Sequence, residues 1–193
     1  MMGKYCGVFK GITKKGVFPN QFEFTLPIPF GNIFLSQKKL VQYLELKENH
    51  NVLEVGDGSG YFSAEVAQAI PSGKLILSDI KGEMLDIAKK RLSKKRINNV
   101  EYHLCNGIDF PFRKHEFDRI YMVTVLGEIE NKKQYVTEFF RLLKPDGIIS
   151  ISEQGGDLDK MSIEEIKALF RGAGFKFYRL YGSKRNFTVS FRK

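Results

Sequence analysis

The sequence predicts a doubly wound α/β domain with a mostly parallel sheet and an antiparallel strand at its C-terminal end. Three observations predict it. The stretch Asn51 to Phe62, N-V-L-E-V-G-D-G-S-G-Y-F, reads as a buried strand, a tight glycine turn and the start of a helix. Short apolar runs then alternate with helically periodic segments as far as residue 153, which implies right-handed crossovers. The tail 175–192 holds two strand-like runs around Gly182-Ser183-Lys184-Arg185, a hairpin signal.

The elements follow in order. Residues 1–36 carry Gly3, Gly7, Gly11 and Gly16, then Pro19, Pro27 and Pro29, with Phe18, Phe22, Phe24 and Phe30 between. Glycine and proline at this density oppose long regular elements, and the aromatics are unlike a disordered tail. The expectation is an ordered arm or lid over the domain formed by residues 37–193. Ser36 is a plausible N-cap for a helix through Leu46. The opening strand follows, then a helix from Ala64 to Ile70 that ends at Pro71-Ser72-Gly73. Lys74 to Leu77 is the second strand, closing on Ser78-Asp79-Ile80, and Glu83 to Leu92 is helical. Val100 to Leu104 and Asp118 to Val125 are the third and fourth strands. A helix over Asn131 to Leu143 stops at Lys144-Pro145-Asp146-Gly147, before a fifth strand from Ile148 to Ser152. Ser162, with Glu165 three residues on, reads as the capping box of a last helix to Arg171.

Composition narrows the class. With 193 residues, 42% of them hydrophobic, the chain suits one domain with a full core. No run of about 18 apolar residues occurs, so no membrane span is expected. Cys6 and Cys105 lack metal spacing and fit a reducing compartment; a cytoplasmic protein without metal is the expectation. The net charge of +9 concentrates in 81–96 and 161–193. These runs read as solvated helix faces or as a surface for an acidic partner.

Open sheets of this type bind ligands beyond the carboxyl ends of their strands. The residues that matter are therefore Glu54 with its glycine loop, Asp79, Cys105-Asn106-Gly107, Val123-Thr124-Val125 and Glu153-Gln154. A dinucleotide site wants G-x-G-x-x-G, but here the third glycine position is Tyr61, and Glu54 would repel a diphosphate. An acid at that place suits a ligand with an ammonium group beside its anionic one. S-adenosylmethionine has such a group and a cationic sulfonium besides. Asp79, 19 residues after Gly60, is placed to accept from ribose hydroxyls, as the acid of an NAD site also does.

The set V-L-E-V-G-D-G-S-G, Asp79, F-D-R-I-Y-M-V and R-L-L-K-P-D-G resembles the class I S-adenosylmethionine-dependent methyltransferases over residues 37–193. The resemblance implies a Rossmann-like seven-stranded sheet whose last strand is antiparallel. It implies S-adenosylmethionine as donor and S-adenosylhomocysteine as product. By the same resemblance, Glu54, Gly56, Gly58 and Gly60 surround the methionine portion, and Asp79 holds the ribose. Ile80 lies against the adenine, Asn106 and Gly107 meet its edge, and Thr124 lies near the methionine end. One departure is visible. Many relatives carry G-D-A before L-P-F, whereas this chain has Cys105-Asn106-Gly107 before Phe110-Pro111-Phe112, so the acceptor oxygen stays and the charge is lost.

Methyl transfer is an in-line displacement in which positioning supplies much of the rate, and some acceptors also need a base. Glu128 and Glu153, after the fourth and fifth strands, are the candidates; each also reads as a loop carboxylate or helix cap. Tyr61 and Tyr121 read as packing. His50, His103 and His115 fall near strand starts or interiors and read as structural. The place after the fourth strand reads Thr124-Val125-Leu126-Gly127, not N-P-P-Y or D-P-P-Y, and no Pro-Cys nucleophile occurs. The pattern is most similar to the small-molecule branch of the family, which includes quinone-biosynthesis enzymes, so a small organic acceptor is expected. Two alternatives stay open: an RNA or protein methyltransferase using the basic faces, and a non-catalytic cofactor-binding partner of another subunit.

Overall fold

A computed structural model describes residues 35–56, 58–105 and 110–193. The expected arm over 1–36 lies outside the described residues except for Leu35 and Ser36, and so do Asn106 and Gly107. The described elements are α1 (Gln37–Leu44), β1 (Asn51–Val55), α2 (Ser63–Ala69), β2 (Lys74–Asp79), α3 (Gly82–Lys94), β3 (Val100–Leu104), β4 (Phe117–Val123), α4 (Lys132–Leu142), β5 (Leu143–Glu153), α5 (Ile163–Gly172), β6 (Lys176–Gly182) and β7 (Phe187–Arg192). A 3-10 turn at Leu126–Glu128 lies between β4 and α4.

The seven strands form one sheet in the order β3-β2-β1-β4-β5-β7-β6. β3, β2, β1, β4 and β5 are parallel neighbours, and β7 runs antiparallel between β5 and β6. The chain therefore winds outwards in both directions from β1 and β4, which makes their carboxyl ends the switch point. The fold is the one the sequence predicts.

Two cores cover the two faces. On one, Leu40 and Leu44 of α1, Ala64, Val66 and Ala67 of α2, and Leu85, Ala88 and Leu92 of α3 pack on Val52, Leu75, Leu77 and Tyr121. On the other, Val136, Phe139 and Leu142 of α4 and Ile166 and Phe170 of α5 pack on Leu53, Ile120, Met122, Ile149 and Ile151. Phe170 stacks on Phe191 at 4.5 Å between centroids, and fully burying a ring of that size contributes roughly 2–3 kcal/mol. At the β5–β7 junction the buried hydroxyls form two rungs, Ser150–Ser190 at 2.9 Å and Ser152–Thr188 at 2.8 Å.

Element ends differ from the predicted ones for local reasons. α1 stops at Leu44, two residues early, because Glu45 adopts φ +49° and turns the chain left-handed. That end is then held from the sheet. Arg119 donates from Nε to Leu44 O at 2.7 Å and from Nη2 to Glu45 O at 3.0 Å, satisfying carbonyls that a helix end leaves free. β4 ends at Val123, not Val125, since Thr124 has φ +55°. β5 begins at Leu143, opposite Phe117, and its ladder resumes at Ile148 after the Lys144–Gly147 bulge. The Ser162 capping box is present: Glu165 N–H donates to Ser162 Oγ at 3.3 Å, and Ser162 N–H donates back at 2.8 Å.

Candidate active site

The glycine turn after β1 is shaped by what surrounds it. Gly56, Gly58 and Gly60 have φ of +69°, +52° and +68°, conformations that L side chains rarely adopt. Their neighbours differ. A Cβ on Gly56 would lie 2.5 Å from a Val125 methyl, and one on Gly60 2.9 Å from Ala88 Cβ, whereas one on Gly58 would meet none of the described residues within 4 Å. Gly56 and Gly60 therefore let β4 and α3 close on the turn, and Gly58 faces open space.

Beside this turn lie two buried acids. Glu54 is 3% exposed and accepts a 2.6 Å hydrogen bond from Ser63 Oγ at the start of α2. Burial pushes its carboxyl up to about 7; hydrogen bonds from Ser63 and Tyr121 oppose the rise, and the charge of Asp79 adds to it. Asp79 accepts from Lys81 N–H at 2.8 Å through Oδ1 and from Gly58 N–H at 3.3 Å through Oδ2. The β2 acid is thereby tied to the glycine turn 21 residues earlier. Ile80, next in the chain, is 50% exposed and offers an apolar surface at the same edge.

The ends of β4 and β5 complete the rim. Thr124 donates its N–H to Ser152 O at 2.8 Å and its hydroxyl to Val123 O at 2.7 Å. Its positive φ is an outlier for a β-branched residue, and such strain clusters at ligand-binding positions. Glu128, exposed on the 3-10 turn, is pushed upward by partial desolvation and by Asp157, Asp159 and Asp79, against the pull of Lys81. Glu153 is 0% exposed, and among the described residues neither carboxylate oxygen has a hydrogen-bond partner. Burial, with the charges of Asp157 and Glu128, pushes it up to about 8 against Lys160 and Lys132.

The structure thus gathers Glu54, Gly56, Gly58, Gly60, Asp79, Ile80 and Thr124 at the switch point, with Glu128 and Glu153 beyond them. The reading of Glu153 as a solvated loop carboxylate is corrected: it is the last residue of β5 and fully buried. The histidines keep to structural places. His50 accepts from Lys47 N–H at 3.2 Å through Nδ1, His103 packs 5.0 Å from the Phe112 ring, and His115 is exposed before β4. Sequence reasoning missed Ser63, which only the fold brings onto Glu54, and the packing of Val125 on the glycine turn at Gly56. It also missed a cleft of about 450 Å³ beside the start of α4, lined in part by Glu130, Lys132, Met161 and Leu169. Among the described residues no group of His, Cys, Asp or Glu is arranged to hold a metal ion, and no helix is long and apolar enough to cross a membrane.

These residues fit a nucleoside joined to an amino acid. The open backbone at Gly58, the buried carboxyl of Glu54, the edge carboxylate of Asp79 and the apolar Ile80 supply one kind of contact for each part of such a ligand.

Comparison with known proteins gives the chain a family. Residues 46–181 match the methyltransferase-domain family. The chain is 29% identical over 152 residues to the ubiquinone/menaquinone biosynthesis C-methyltransferase of Francisella tularensis subsp. novicida, covering 78% of this chain and 59% of that protein. It is 31% identical over 110 residues to the protein of the same description in Pasteurella multocida, covering 56% and 41%. The chain spans only about half the length of the curated relatives it matches. A S-adenosylmethionine-dependent methyltransferase structure from Aquifex aeolicus superposes with a TM-score of 0.76 at 22% identity, over 81% of this chain and 89% of that one. The [4+2]-cyclase SpnF superposes at 0.73 with 16% identity, over 81% and 79%, so the fold alone does not fix a reaction.

Proposed function

Because the chain belongs to the methyltransferase-domain family, we propose that it transfers a methyl group from S-adenosylmethionine to a small organic acceptor. The observation that carries this reading is the coupling of the glycine turn to two buried acids: Gly58 N–H on Asp79, with Glu54 beneath. Glu54 takes the ammonium of the donor's amino-acid part, Asp79 the ribose hydroxyls and Ile80 one face of the adenine, with Asn106 and Gly107 proposed at its edge. The donor supplies a methyl carbon on a cationic sulfur, an electrophile that needs no activation by an acid. The protein's task is then to hold donor and acceptor in line and to keep water out.

A small acceptor is favoured over a nucleic acid by the placement of the basic runs. Residues 81–96 lie on α3 and the turn that leads to β3, one edge of the sheet; 161–193 lie on α5, β6 and β7 at the other. They do not merge into one track for a phosphate backbone. The names of the quinone-biosynthesis relatives support a small acceptor as well. A cytoplasmic location is part of the proposal.

S-adenosylhomocysteine at millimolar concentration raises the melting temperature by mass action. Asp79→Ala abolishes the rise while the variant still melts cooperatively. No rise in the wild-type protein overturns the donor assignment.

A further inference from the structure

The amino edge of the sheet, opposite the donor site, carries a smaller pocket. β1, β4 and β5 are parallel neighbours, so the residues that enter them meet at one edge: His50 before β1, Asp118 and Arg119 on β4, and Lys144 to Gly147 on β5. While β4 advances from Phe117 to Arg119, β5 advances from Leu143 to Ile148. The surplus chain, Lys144-Pro145-Asp146-Gly147, leaves room that a regular ladder would close. The result is a pocket of about 220 Å³ lined by Lys47, His50, Asp118, Arg119, Lys144 and the 145–147 turn.

The backbone fixes the buried donor of this pocket. His50 donates its N–H to Lys47 O at 3.0 Å and accepts from Lys47 N–H at 3.2 Å through Nδ1, a reciprocal pair that holds the ring. Its carbonyl accepts from Lys74 N–H at 3.2 Å, and Gly73 packs so closely on it that a Cβ there would lie 2.1 Å away. With Nδ1 an acceptor, the proton of the neutral ring sits on Nε2, which is then a donor. His50 is 6% exposed, and among the described residues nothing accepts from that nitrogen. A buried donor left unpaired costs free energy, which a ligand acceptor would recover.

The charges around it narrow the ligand. Among the described residues Lys47 has no acidic partner. Lys144 has one, Asp118 Oδ2 at 2.8 Å, and keeps further ammonium donors beyond it. Arg119 is buried and directs its nitrogens to Leu44 O, Glu45 O and Asp118 O, so its chief contribution is charge. Lys47, Arg119 and Lys144 thus face two carboxylates, Asp118 and Asp146, and the balance is positive. Burial and the charges of Arg119, Lys47 and Lys144 hold the His50 imidazole below its ordinary range, against the charge of Asp118. A cation would be repelled here, and an apolar ligand would leave the His50 donor unpaired. A tetrahedral oxyanion offers several acceptor atoms to donors that converge from different elements.

We propose that this pocket binds a phosphoryl group, as the free anion or at the end of a phosphate monoester, whose oxygens accept from His50 Nε2–H and from the Lys47 and Lys144 ammonium groups. The site lies at the edge of the sheet away from Glu54 and Asp79 and stands whether or not the donor reading does. A bound anion joins the chain that leaves α1 to the surplus turn at the start of β5. It also favours the imidazolium form of His50, which then donates to the anion with a full charge.

The test titrates inorganic phosphate, sulfate and glycerol phosphate into the isotopically labelled full chain, at an ionic strength held constant with sodium chloride. In the wild type the amide signals of Lys47, Asp146 and Gly147 and the ring signals of His50 follow saturable curves, with a Kd of about 1 mM or below. Lys47 is exposed, so K47Q keeps the fold, and it weakens binding at least about threefold. H50Q, followed on the amide signals, weakens it at least about tenfold. Sulfate, a dianion throughout the range, moves the His50 titration midpoint upward by about half a unit or more. Glycerol phosphate that binds more tightly than phosphate assigns the pocket to a monoester, and equal or weaker binding assigns it to the free anion. Signals that drift linearly with each salt overturn the proposal. So does saturable binding that K47Q leaves unchanged, or a His50 midpoint that sulfate does not raise.

Discussion

Ser63 holds its hydroxyl 2.6 Å from a carboxylate oxygen of Glu54, linking the first turn of α2 to the end of β1 across the glycine turn. The bond orients an acid that burial would otherwise leave protonated at neutral pH. It sets the first prediction. Below pH of about 7 Glu54 carries a proton and cannot pair with an ammonium group. Affinity for S-adenosylhomocysteine should therefore fall between pH 8 and pH 6, towards about tenfold per unit. Calorimetric titration measures it, and a flat profile in the wild type contradicts the ion pair. Glu54→Gln should bind weakly at both pH values.

The stability of the ligand-free protein should run the other way. Glu54 and Glu153 have folded-state values of about 7 and about 8, above the ordinary 4.5 that applies when unfolded. Between those limits the folded state binds more protons than the unfolded one, so stability falls as pH rises from about 5 to about 8. Asp118 is the opposite case. Burial raises it, but the Lys144 ammonium and Asn51 N–H overrule this and hold it below the usual range, so its contribution is lost only in stronger acid. Urea unfolding at pH 5.5 and 8 should show the difference. Glu153→Gln should stabilise the protein at pH 8 by roughly 3 kcal/mol and much less at pH 5.5. A loss of stability at pH 8 contradicts the burial of an unpaired charge.

Two neighbouring glycines should fail in different ways. Gly60→Ala puts a Cβ 2.9 Å from Ala88 and should cost about 1–3 kcal/mol by forcing α3 away. Gly58→Ala meets nothing among the described residues and should cost only about 1 kcal/mol of backbone strain, yet weaken S-adenosylhomocysteine binding. Melting temperature and ligand affinity, measured on both variants, separate the two effects. Equal behaviour contradicts the assignment of open space at Gly58 to the ligand.

Arg119 should matter to stability and not to the ligand. It is buried on β4, towards the amino edge, and joins the sheet to the end of α1 through Leu44 O and Glu45 O. Arg119→Met keeps the stem and leaves those carbonyls without their donor, at a cost of about 2–4 kcal/mol. Denaturant unfolding gives the cost. S-adenosylhomocysteine affinity within about twofold of the wild type is the expected companion result.

The strands and their mostly parallel sense, the glycine turn and the strand end at Asp79 were legible in the sequence because each rests on local chemistry: an apolar run, a positive-φ requirement, a strand end. The Ser162 capping box was legible for the same reason. The full burial of Glu153 was not, since the groups whose charges act on it, Lys132, Asp157 and Lys160, come from separate segments that meet only in the fold. The early end of α1 at Leu44 was hidden likewise, because Leu46 continues the apolar pattern while Glu45 breaks the backbone geometry. The cleft beside α4 depends on the packing of α5 and leaves no pattern along the chain.

The paired hydroxyls Ser150–Ser190 and Ser152–Thr188 have a consequence for assembly. β6 and β7 form a local hairpin that can close early, whereas β7 must find β5 across a longer stretch of chain. A slip by one residue would turn the polar side of β7 towards the aromatic core and unmake both rungs. The rungs therefore act as a two-tooth key. They leave a preformed hairpin only one way to dock on the growing sheet, which aligns the antiparallel strand beside the strand end that carries Glu153.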